Sequence, residues 1–171
     1  MNLARILLRS ALGRRLPITS GSLQVEGMDG EVIVRRDRWG IPHITGSTDR
    51  DVWFGLGFCH AQDRAFQLES IRRVAHGTLA EVVGSEGLAV DRLARRLGFL
   101  RYARPQLDVL DEDVLQTLEV YTNGVNAGLA LGSKRKAHEF ALLRMKPSGW
   151  HPVDALAVAK LLSFAMSGNW D

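Results

Sequence analysis

Residues 36–84 decide the fold of this chain, and their sequence is RDRWGIPHITGSTDRDVWFGLGFCHAQDRAFQLESIRRVAHGTLAEVVG. Pro42 biases the residue before it towards an extended backbone, so residues 39–44 are predicted to form a strand or a strand-like link. From Asp49 onwards the apolar residues recur at steps of three and four, which predicts a long helix that ends near Gly77. The stretch therefore joins an extended segment to a long helix.

The start of this long helix carries a cap and two glycines. Thr48 or Asp49 has a side chain suited to accept a hydrogen bond from the first helical turn. Gly55 and Gly57 each destabilise a helix by about 1 kcal/mol relative to alanine. Their presence predicts that another part of the protein packs very close to the helix backbone at this point.

A β-hairpin is predicted before the long helix. Residues 23–26 and 31–36 are two short runs with strand character. Between them lies Asp29-Gly30, a pair that tolerates the positive φ angles of tight hairpin turns. The expected fold class is therefore α+β, with a short N-terminal β-hairpin followed by helices.

The rest of the chain is helical in character. Further helices are predicted at residues 91–101 with a stop at Pro105, at 114–129 between Asp111 and Gly132, at 139–144, and at 155–167. The last of these is apolar on nearly every side, so protein must enclose it. It is too short to cross a bilayer, so either this chain or another polypeptide is expected to cover it.

Length and composition are those of an ordinary globular protein. The 171 residues are 46% hydrophobic and 24% charged, which is enough for one domain with a core. The 22 basic residues are scattered among 19 acidic ones, so the basic stripe of a nucleic-acid-binding protein is missing and no nucleic-acid partner is expected. No apolar run reaches about 18 residues, so no membrane span is expected.

Residues 1–21 are interpreted as an N-terminal amphipathic segment, separate from a main unit at 22–171. Its apolar residues recur at helical spacing, with arginines on the opposite side. The arginines interrupt every apolar run, so the segment lacks the continuous core of about 7 to 15 residues that a secretory signal needs. The lone Cys59 cannot form an internal disulfide and slightly favours a reducing compartment. The sequence therefore leaves the location of the protein undecided between the cytoplasm and the periplasm.

Several residue types that bind metals or act as nucleophiles cluster in the first half of the chain. They are His43, Cys59, His60, Asp63 and His76. His60 and Asp63 share a helix face, but no third ligand lies one turn from them, so no metal site is expected. Cys59 and His60 point about 100° apart on a helix and cannot form a catalytic pair. Gly-x-Ser-x-Gly elbows are missing, and Gly55-x-Gly57 lacks the third glycine of a dinucleotide-binding motif. The residues alone provide no convincing catalytic set.

A series of motifs lies at fixed offsets along the chain. The longest are Asp37-x-Trp39-Gly40-Ile41-Pro42-His43-Ile44, Phe54-Gly55-x-Gly57-Phe58-x-His60-Ala61-Gln62-Asp63-Arg64, Gln67-Leu68-Glu69-x-x-Arg72-Arg73, Gly77-x-Leu79-Ala80-Glu81 and Pro147-x-x-Trp150-x-Pro152-x-Asp154. Together they closely resemble the amino-terminal region of the penicillin acylase family, which includes penicillin, cephalosporin and acyl-homoserine lactone acylases. The likeness covers nearly everything from Ser22 to Asp171.

The resemblance implies an amide hydrolase of the N-terminal nucleophile type, in which two antiparallel sheets lie between helical layers, an αββα fold. Family members are made as one precursor that cuts itself into an alpha and a beta subunit. The nucleophile is the serine that begins the beta subunit, and its own α-amino group, with a pKa of about 8, accepts the hydroxyl proton. This chain is alpha-like throughout. The resemblance therefore implies no catalytic residue in it, a beta subunit as partner and an N-acyl compound as substrate.

The resemblance also suggests a binding role for the last helix. Matching offsets place Ser163, Met166 and Ser167 where relatives line the pocket for the acyl group; the alternative is that these residues belong to a core or an interface. A calcium ligand of some relatives would fall beyond Asp171, so no metal or cofactor position carries over. The RDRWGIPHI and HAQDR blocks, in the first half of the chain, are expected to be structural. Their polar and aromatic members, which should join the hairpin to the long helix, are Trp39, His43, His60, Asp63 and Arg64.

Two interpretations of the whole chain stay open. In the first, it is the alpha part of an acylase that cleaves a linear amide, and the ending at Asp171 marks a truncated precursor or a gene fragment. In the second, it is a non-catalytic remnant or a helical interaction module that never meets a beta chain. Acyl-chain specificity, and a role in antibiotic breakdown or lactone-signal quenching, are left undecided by the sequence.

Overall fold

The computed structural model describes residues 15–168, which form a mostly helical structure with a two-stranded sheet at the N-terminal side. The elements are β1 (Ile33–Arg36), β2 (Pro42–Thr45), α1 (Asp49–His76), α2 (Ala80–Val83), a 3₁₀ turn (Gly84–Gly87), α3 (Leu88–Leu97), α4 (Phe99–Leu107), α5 (Glu112–Leu131), α6 (His138–Leu142) and α7 (Pro152–Met166). This confirms the predicted fold class of a short hairpin followed by helices. The predicted helix in the N-terminal amphipathic segment, at residues 1–14, lies outside the described residues.

The β-hairpin lies later in the chain than predicted. Strands β1 and β2 pair antiparallel, with Ile33 opposite Thr45. Asp37 organises the connection, because its Oδ1 accepts hydrogen bonds from the backbone N–H groups of Trp39 at 2.8 Å and Ile41 at 3.0 Å. A side chain that bonds the backbone two residues ahead stabilises a turn without the Asp-Gly pair.

The predicted turn at Asp29-Gly30 is therefore wrong, and residues 23–26 do not form a strand. The backbone N–H groups of Asp29 and Gly30 instead donate to Asp51 Oδ1, at 2.9 and 3.2 Å. Asp51 lies in the first turn of α1 and is fully buried. The Asp-Gly pair thus ties the chain to the start of the helix, a long-range contact that local turn preferences do not reveal.

Helix α1 has the predicted limits. Thr48 and Asp51 form a capping box, in which each side chain accepts a hydrogen bond from the other residue's backbone N–H. At the far end Gly77 adopts φ 67°, the left-handed conformation that ends helices. Arg64 has a non-helical backbone (φ −132°, ψ 28°), so the helix is kinked near its middle.

Glycines allow α1 and α5 to pack with their backbones in contact. A Cβ atom on Gly57 would collide with the backbone oxygen of Tyr121 and lie 2.9 Å from the nitrogen of Val125. A Cβ atom on Gly124 of α5 would collide in turn with the backbone oxygen of Phe54. The predicted close approach is confirmed at both α1 glycines, but only Gly57 meets α5, because Gly55 faces the side chains of Ile44 and Val32. Helix α5 runs between Asp111 and Gly132 as predicted.

The predicted helix at 91–101 is two helices. Gly98 has φ 74° and separates α3 from α4, so the chain changes direction there. Pro105 lies inside the last turn of α4, which continues to Leu107, so the predicted stop at Pro105 is also wrong. Proline lacks the backbone N–H that would bond the carbonyl of Arg101, so α4 continues for two residues beyond it with one hydrogen bond fewer.

Two buried clusters form the core around α1. The first joins α1, α5 and the segment before α7 through Ala61, Val125, Leu129 and Trp150. The second joins α1, α4 and α7 through Ala75, Ala103 and Ala157, each nearly or fully buried. Because the second cluster consists of alanines, the three helices approach one another closely where α7 begins.

Candidate functional site

The base of α7 is held by a buried carboxylate. Asp154, in the first helical turn, is 1% exposed. Its Oδ2 accepts a hydrogen bond from the backbone N–H of His151 at 2.8 Å, and His151 and Asp154 together form a capping box. The same carboxylate lies 3.3 Å from Arg72 Nε and 2.7 Å from His76 Nε2, both at the end of α1. One side chain therefore joins the start of α7 to the end of α1.

These contacts keep Asp154 ionised. Burial alone would raise the pKa of its carboxyl group, but the polar contact with His76, the backbone N–H of His151 and the charges of Arg72 and His76 together hold this pKa below its ordinary value. The group is therefore a carboxylate throughout the neutral range. Because Asp154 is buried against Arg72 and His76, it joins the start of α7 to the end of α1.

Two more polar anchors fix the segment that leads into α7. Asn126 of α5 binds both backbone groups of Trp150: its Oδ1 accepts from Trp150 N at 2.8 Å, and its Nδ2 donates to Trp150 O at 2.9 Å. Glu69 of α1, which is 2% exposed, accepts from the backbone N and the hydroxyl of Ser148, both at 3.0 Å. It also accepts from Arg73 Nε at 2.7 Å, one helical turn further along α1.

The other end of α7 is uncovered. Every residue from 162 to 168 is exposed, including Leu162 (47%), Phe164 (45%) and Met166 (82%). Phe164 lies against Phe99 of α4, with ring centroids 5.8 Å apart. The described residues therefore bury much of the first half of this apolar helix and leave its second half open.

The residues predicted to bind the acyl group lie on this open end. Ser163, Met166 and Ser167 are spaced by three and four positions, so they share one helix face. The Ser163 hydroxyl donates to the backbone oxygen of Ala159 at 2.9 Å, and the Ser167 hydroxyl donates to that of Phe164 at 2.8 Å. Because the helix itself satisfies both hydroxyls, the face that they present is less polar than two free serines would make it.

The expected links between the hairpin and α1 are present in part. Arg36 of β1 binds Asp63 of α1 through two bonds of 2.9 Å, so this part of the prediction is confirmed. His60 instead contacts Tyr121 of α5, with 3.0 Å between Nδ1 and the hydroxyl. For Trp39 the prediction is wrong, because its side chain is 74% exposed on the hairpin turn.

The remaining two residues of that set are also differently placed. His43 lies 3.5 Å from Asp37 within the hairpin, and its side chain is largely exposed. Arg64 is exposed at the kink of α1. A motif shows which residues recur at fixed offsets, but it does not distinguish a buried link from an exposed residue at a turn or a kink.

Nucleophilic and metal chemistry find no support in the described region. Burial raises the pKa of the Cys59 thiol to about 11, so this buried group is a neutral thiol at ordinary pH. Burial also lowers the pKa of His60, although nearby Asp63 opposes the shift. Within residues 15–168, no group of three or more His, Cys, Asp or Glu side chains could hold a metal ion. In the same residues, no helix has both the length and the apolar character needed to cross a membrane.

Two open cavities lie away from α7. One, of about 440 Å³, is bounded by Arg15, the middle of α1 and the segment after α5. The other, of about 590 Å³, lies between residues 18–34 and α1. Neither includes Ser163, Met166 or Ser167. The open face of α7 is therefore a surface rather than a formed pocket.

Sequence reasoning missed the anchors of α7. Arg72, Glu69 and Asp154 stand in the motifs, but their pairing across about 80 positions has no local signal. One clue was available: Asp154 follows His151 by three residues, the spacing of an acidic side chain that caps a helix start.

Comparison with known proteins agrees with this picture. The model of the penicillin amidase family matches residues 31–171 of this chain. Penicillin acylase 2 proenzyme of Pseudomonas sp. (strain SE83) is 43% identical over 162 residues, which is 95% of this chain and 21% of that protein. Acyl-homoserine lactone acylase QuiP of Pseudomonas aeruginosa is 36% identical over 154 residues, 90% of this chain and 18% of that protein.

A solved structure extends the comparison to the fold. Thermostable penicillin G acylase from Alcaligenes faecalis superposes with a TM-score of 0.69 at 25% identity, covering 82% of this chain and 77% of that chain. The chain spans about one fifth of the length of the curated relatives named above. With the family match extending over most of its residues, the chain belongs to the penicillin amidase family.

Proposed function

We propose that this chain is the alpha part of an acylase that hydrolyses the linear amide bond of an N-acyl compound. In this proposal Ser163, Met166 and Ser167 form one wall of the acyl-binding pocket. The nucleophilic serine and the groups that stabilise the oxyanion belong to a beta region outside these residues. The observation that carries the proposal is the uncovered apolar end of α7 in a chain of this family.

The chemistry of the open face suits an acyl chain. Burying apolar surface contributes about 25 cal/mol per Å², so an acyl group gains affinity when α7 and a second wall enclose it. Met166 is unbranched and flexible, which lets it adapt to acyl groups of irregular shape. Ser163 and Ser167, whose hydroxyls bond to the helix backbone, add little polarity to that wall.

In this proposal the beta region carries out the chemistry and α7 binds the acyl chain. Acyl transfer to a serine requires a base near its hydroxyl and donors for the tetrahedral oxyanion. The α-amino group of an N-terminal serine can act as that base, because its pKa of about 8 leaves roughly a tenth of it unprotonated at pH 7, far more than for a lysine side chain. As the ester bond to serine forms, the C–N bond breaks and the amine leaves with the proton that the base took from the hydroxyl. Water then hydrolyses the ester and releases the acyl group as a carboxylic acid. The part of α7 is to hold the acyl chain while this happens.

The names of the relatives narrow the substrate class. One is a penicillin acylase and another an acyl-homoserine lactone acylase. Both names refer to an apolar acyl group joined by an amide to a more polar amine. We propose the same class here, with N-acyl homoserine lactones, penicillins and related N-acyl compounds as candidates.

A chimera tests the proposal. Residues 22–171 would replace the matching region of penicillin acylase 2 proenzyme from Pseudomonas sp. (strain SE83). The chimera is expected to mature and to hydrolyse N-acyl substrates, whereas the 171-residue chain alone should hydrolyse none. If the chimera stays unprocessed or inactive while the parent enzyme matures, the remnant or interaction-module interpretation is favoured instead.

A matched pair of variants tests the pocket itself. Met166→Trp narrows the proposed pocket, so the preferred acyl chain should become shorter. Leu93→Trp introduces the same side chain at an exposed position of a different helix, α3, and should leave the preference unchanged. Equal preferences in the two variants would remove Met166 from the acyl-binding wall.

A further inference from the structure

We infer that Asp154 is a positioning residue. Its contacts with Arg72 and His76 set the angle between α7 and α1, and this angle places the acyl-binding end of α7. The inference rests on the proposed function of that end. It concerns a residue that touches no substrate and lies in the first turn of α7, remote from Met166.

The anchors of α7 are concentrated at its base. Asp154 contacts the end of α1, Asn126 holds the backbone of Trp150, and Glu69 holds Ser148. In the second half of the helix, Leu161 packs against the alanine cluster, and beyond it Phe164 packs on Phe99. The helix is thus supported near its N-terminal end, and its C-terminal end projects from that support.

Geometry amplifies any change at the base. Residues 154 and 166 are separated by about 18 Å at 1.5 Å per residue. A tilt of roughly 5° about the base would therefore move the acyl-binding end by about 1.5 Å, and misplacements of about 1 Å are large enough to affect reaction rates.

Among the three anchors, Asp154 is the one whose partners depend on it most. Arg72 Nε and His76 Nε2 are both shielded from solvent and form no aligned hydrogen bond in the described structure. The polar group that faces both atoms is the Asp154 carboxylate, which lies 3.3 Å from Arg72 Nε and 2.7 Å from His76 Nε2. Without it, two buried cationic or polar groups at the end of α1 would have to move towards water, and α7 would move with them.

Acyl-chain selectivity in the chimera tests the inference. Asp154→Asn should raise KM for long acyl chains about tenfold relative to short ones, because a displaced wall affects only substrates that reach it. Asp91→Asn is the matched control: Asp91 is also buried and accepts two backbone hydrogen bonds, from Leu79 and Ala80, but it lies in α3. If Asp154→Asn changes short and long substrates equally, as the control should, Asp154 is merely structural and the inference fails.

A double variant guards against misfolding. The double variant Arg72→Met with Asp154→Leu removes the Arg72–Asp154 pair as a whole, a change that proteins often tolerate, and leaves His76 without its carboxylate partner. This variant should lose the same selectivity as Asp154→Asn. Unchanged selectivity in a folded double variant would overturn the inference.

A distance measurement separates this inference from the proposed function. Spin labels at the exposed positions 67 on α1 and 165 on α7 of the 171-residue chain report the helix angle without any substrate. The distance distribution should broaden at least about twofold in Asp154→Asn and stay narrow in Asp91→Asn. Equal widths would refute the positioning role, even if the chimera is active. If the chimera without substitutions is inactive while Asp154→Asn broadens the distance distribution in the 171-residue chain, the result counts against the proposed function and not against this inference.

Discussion

The contact between α1 and α5 gives a sharp prediction for Gly57→Ala. The added methyl group would collide with the backbone oxygen of Tyr121 and lie 2.9 Å from the nitrogen of Val125. Neither atom can rotate away, so the helices must separate, which typically costs about 3 kcal/mol for an overpacked core. Alanine recovers about 1 kcal/mol of helix propensity. The expected net loss in unfolding free energy is therefore about 2 kcal/mol.

Gly55→Ala provides the matched comparison. It lies in the same helix and gains the same propensity, but its methyl group meets side-chain atoms, Ile44 Cγ2 at 2.7 Å and Val32 Cγ1 at 2.9 Å. Side chains on a hairpin can shift, so this variant should change the unfolding free energy by less than about 1 kcal/mol. Urea unfolding followed by far-ultraviolet circular dichroism measures both. The reasoning is refuted if Gly57→Ala is as stable as Gly55→Ala.

Three further predictions concern the base of α7, its open end and the buried thiol. Asp154→Asn should lower the unfolding free energy by about 3 kcal/mol at neutral pH, because Arg72 loses its buried partner. Since folding lowers the pKa of Asp154, its contribution is present above its unfolded pKa of about 3.9 and is lost as pH falls through the folded pKa, so acid titration of the variant should show a shallower decline. Leu162→Glu on the open face should change the unfolding free energy by less than about 0.5 kcal/mol, whereas Ala157→Glu in the core should cost more than about 3 kcal/mol, both measured by urea unfolding. Cys59 should resist a thiol reagent at pH 8 until the protein is unfolded by urea, because burial raises its pKa to about 11.

Each of these predictions has a contradicting outcome. Parallel acid-unfolding curves for the native chain and Asp154→Asn would show that the carboxylate is not held below its ordinary pKa. An equally large loss for Leu162→Glu and Ala157→Glu would mean that the end of α7 is already covered. Rapid labelling of Cys59 in the folded chain would place the thiol at the surface.

The helices were largely predictable because their signals are local. The cap at Thr48 and the end at Gly77 mark α1, and the spacing between Asp111 and Gly132 marks α5. The hairpin was misplaced for a tertiary reason: Asp51 binds the backbone of the Asp29-Gly30 pair that would otherwise form a tight turn. Local turn preference could not reveal a partner that lies more than twenty residues away.

The candidate site likewise has one part that the sequence predicted and one part that it could not predict. Family resemblance predicted the face that carries Met166, and the structure shows this face to be open. The clamp of Asp154 on Arg72 and His76 could not be predicted, because its members are about 80 residues apart and meet only when α1 and α7 pack through small residues. Spacing along one helix carries no information about such a contact.

Oxidation of Met166 tests most directly whether the open face of α7 becomes the wall of a pocket. Dilute hydrogen peroxide with mass-spectrometric detection gives the rate for each methionine, and the partly buried Met145 serves as the internal reference. We predict that Met166, 82% exposed, oxidises rapidly in the 171-residue chain and at least about tenfold more slowly in the matured chimera. Equal rates in the chain and in the active chimera would show that this face is never enclosed, and would contradict the account.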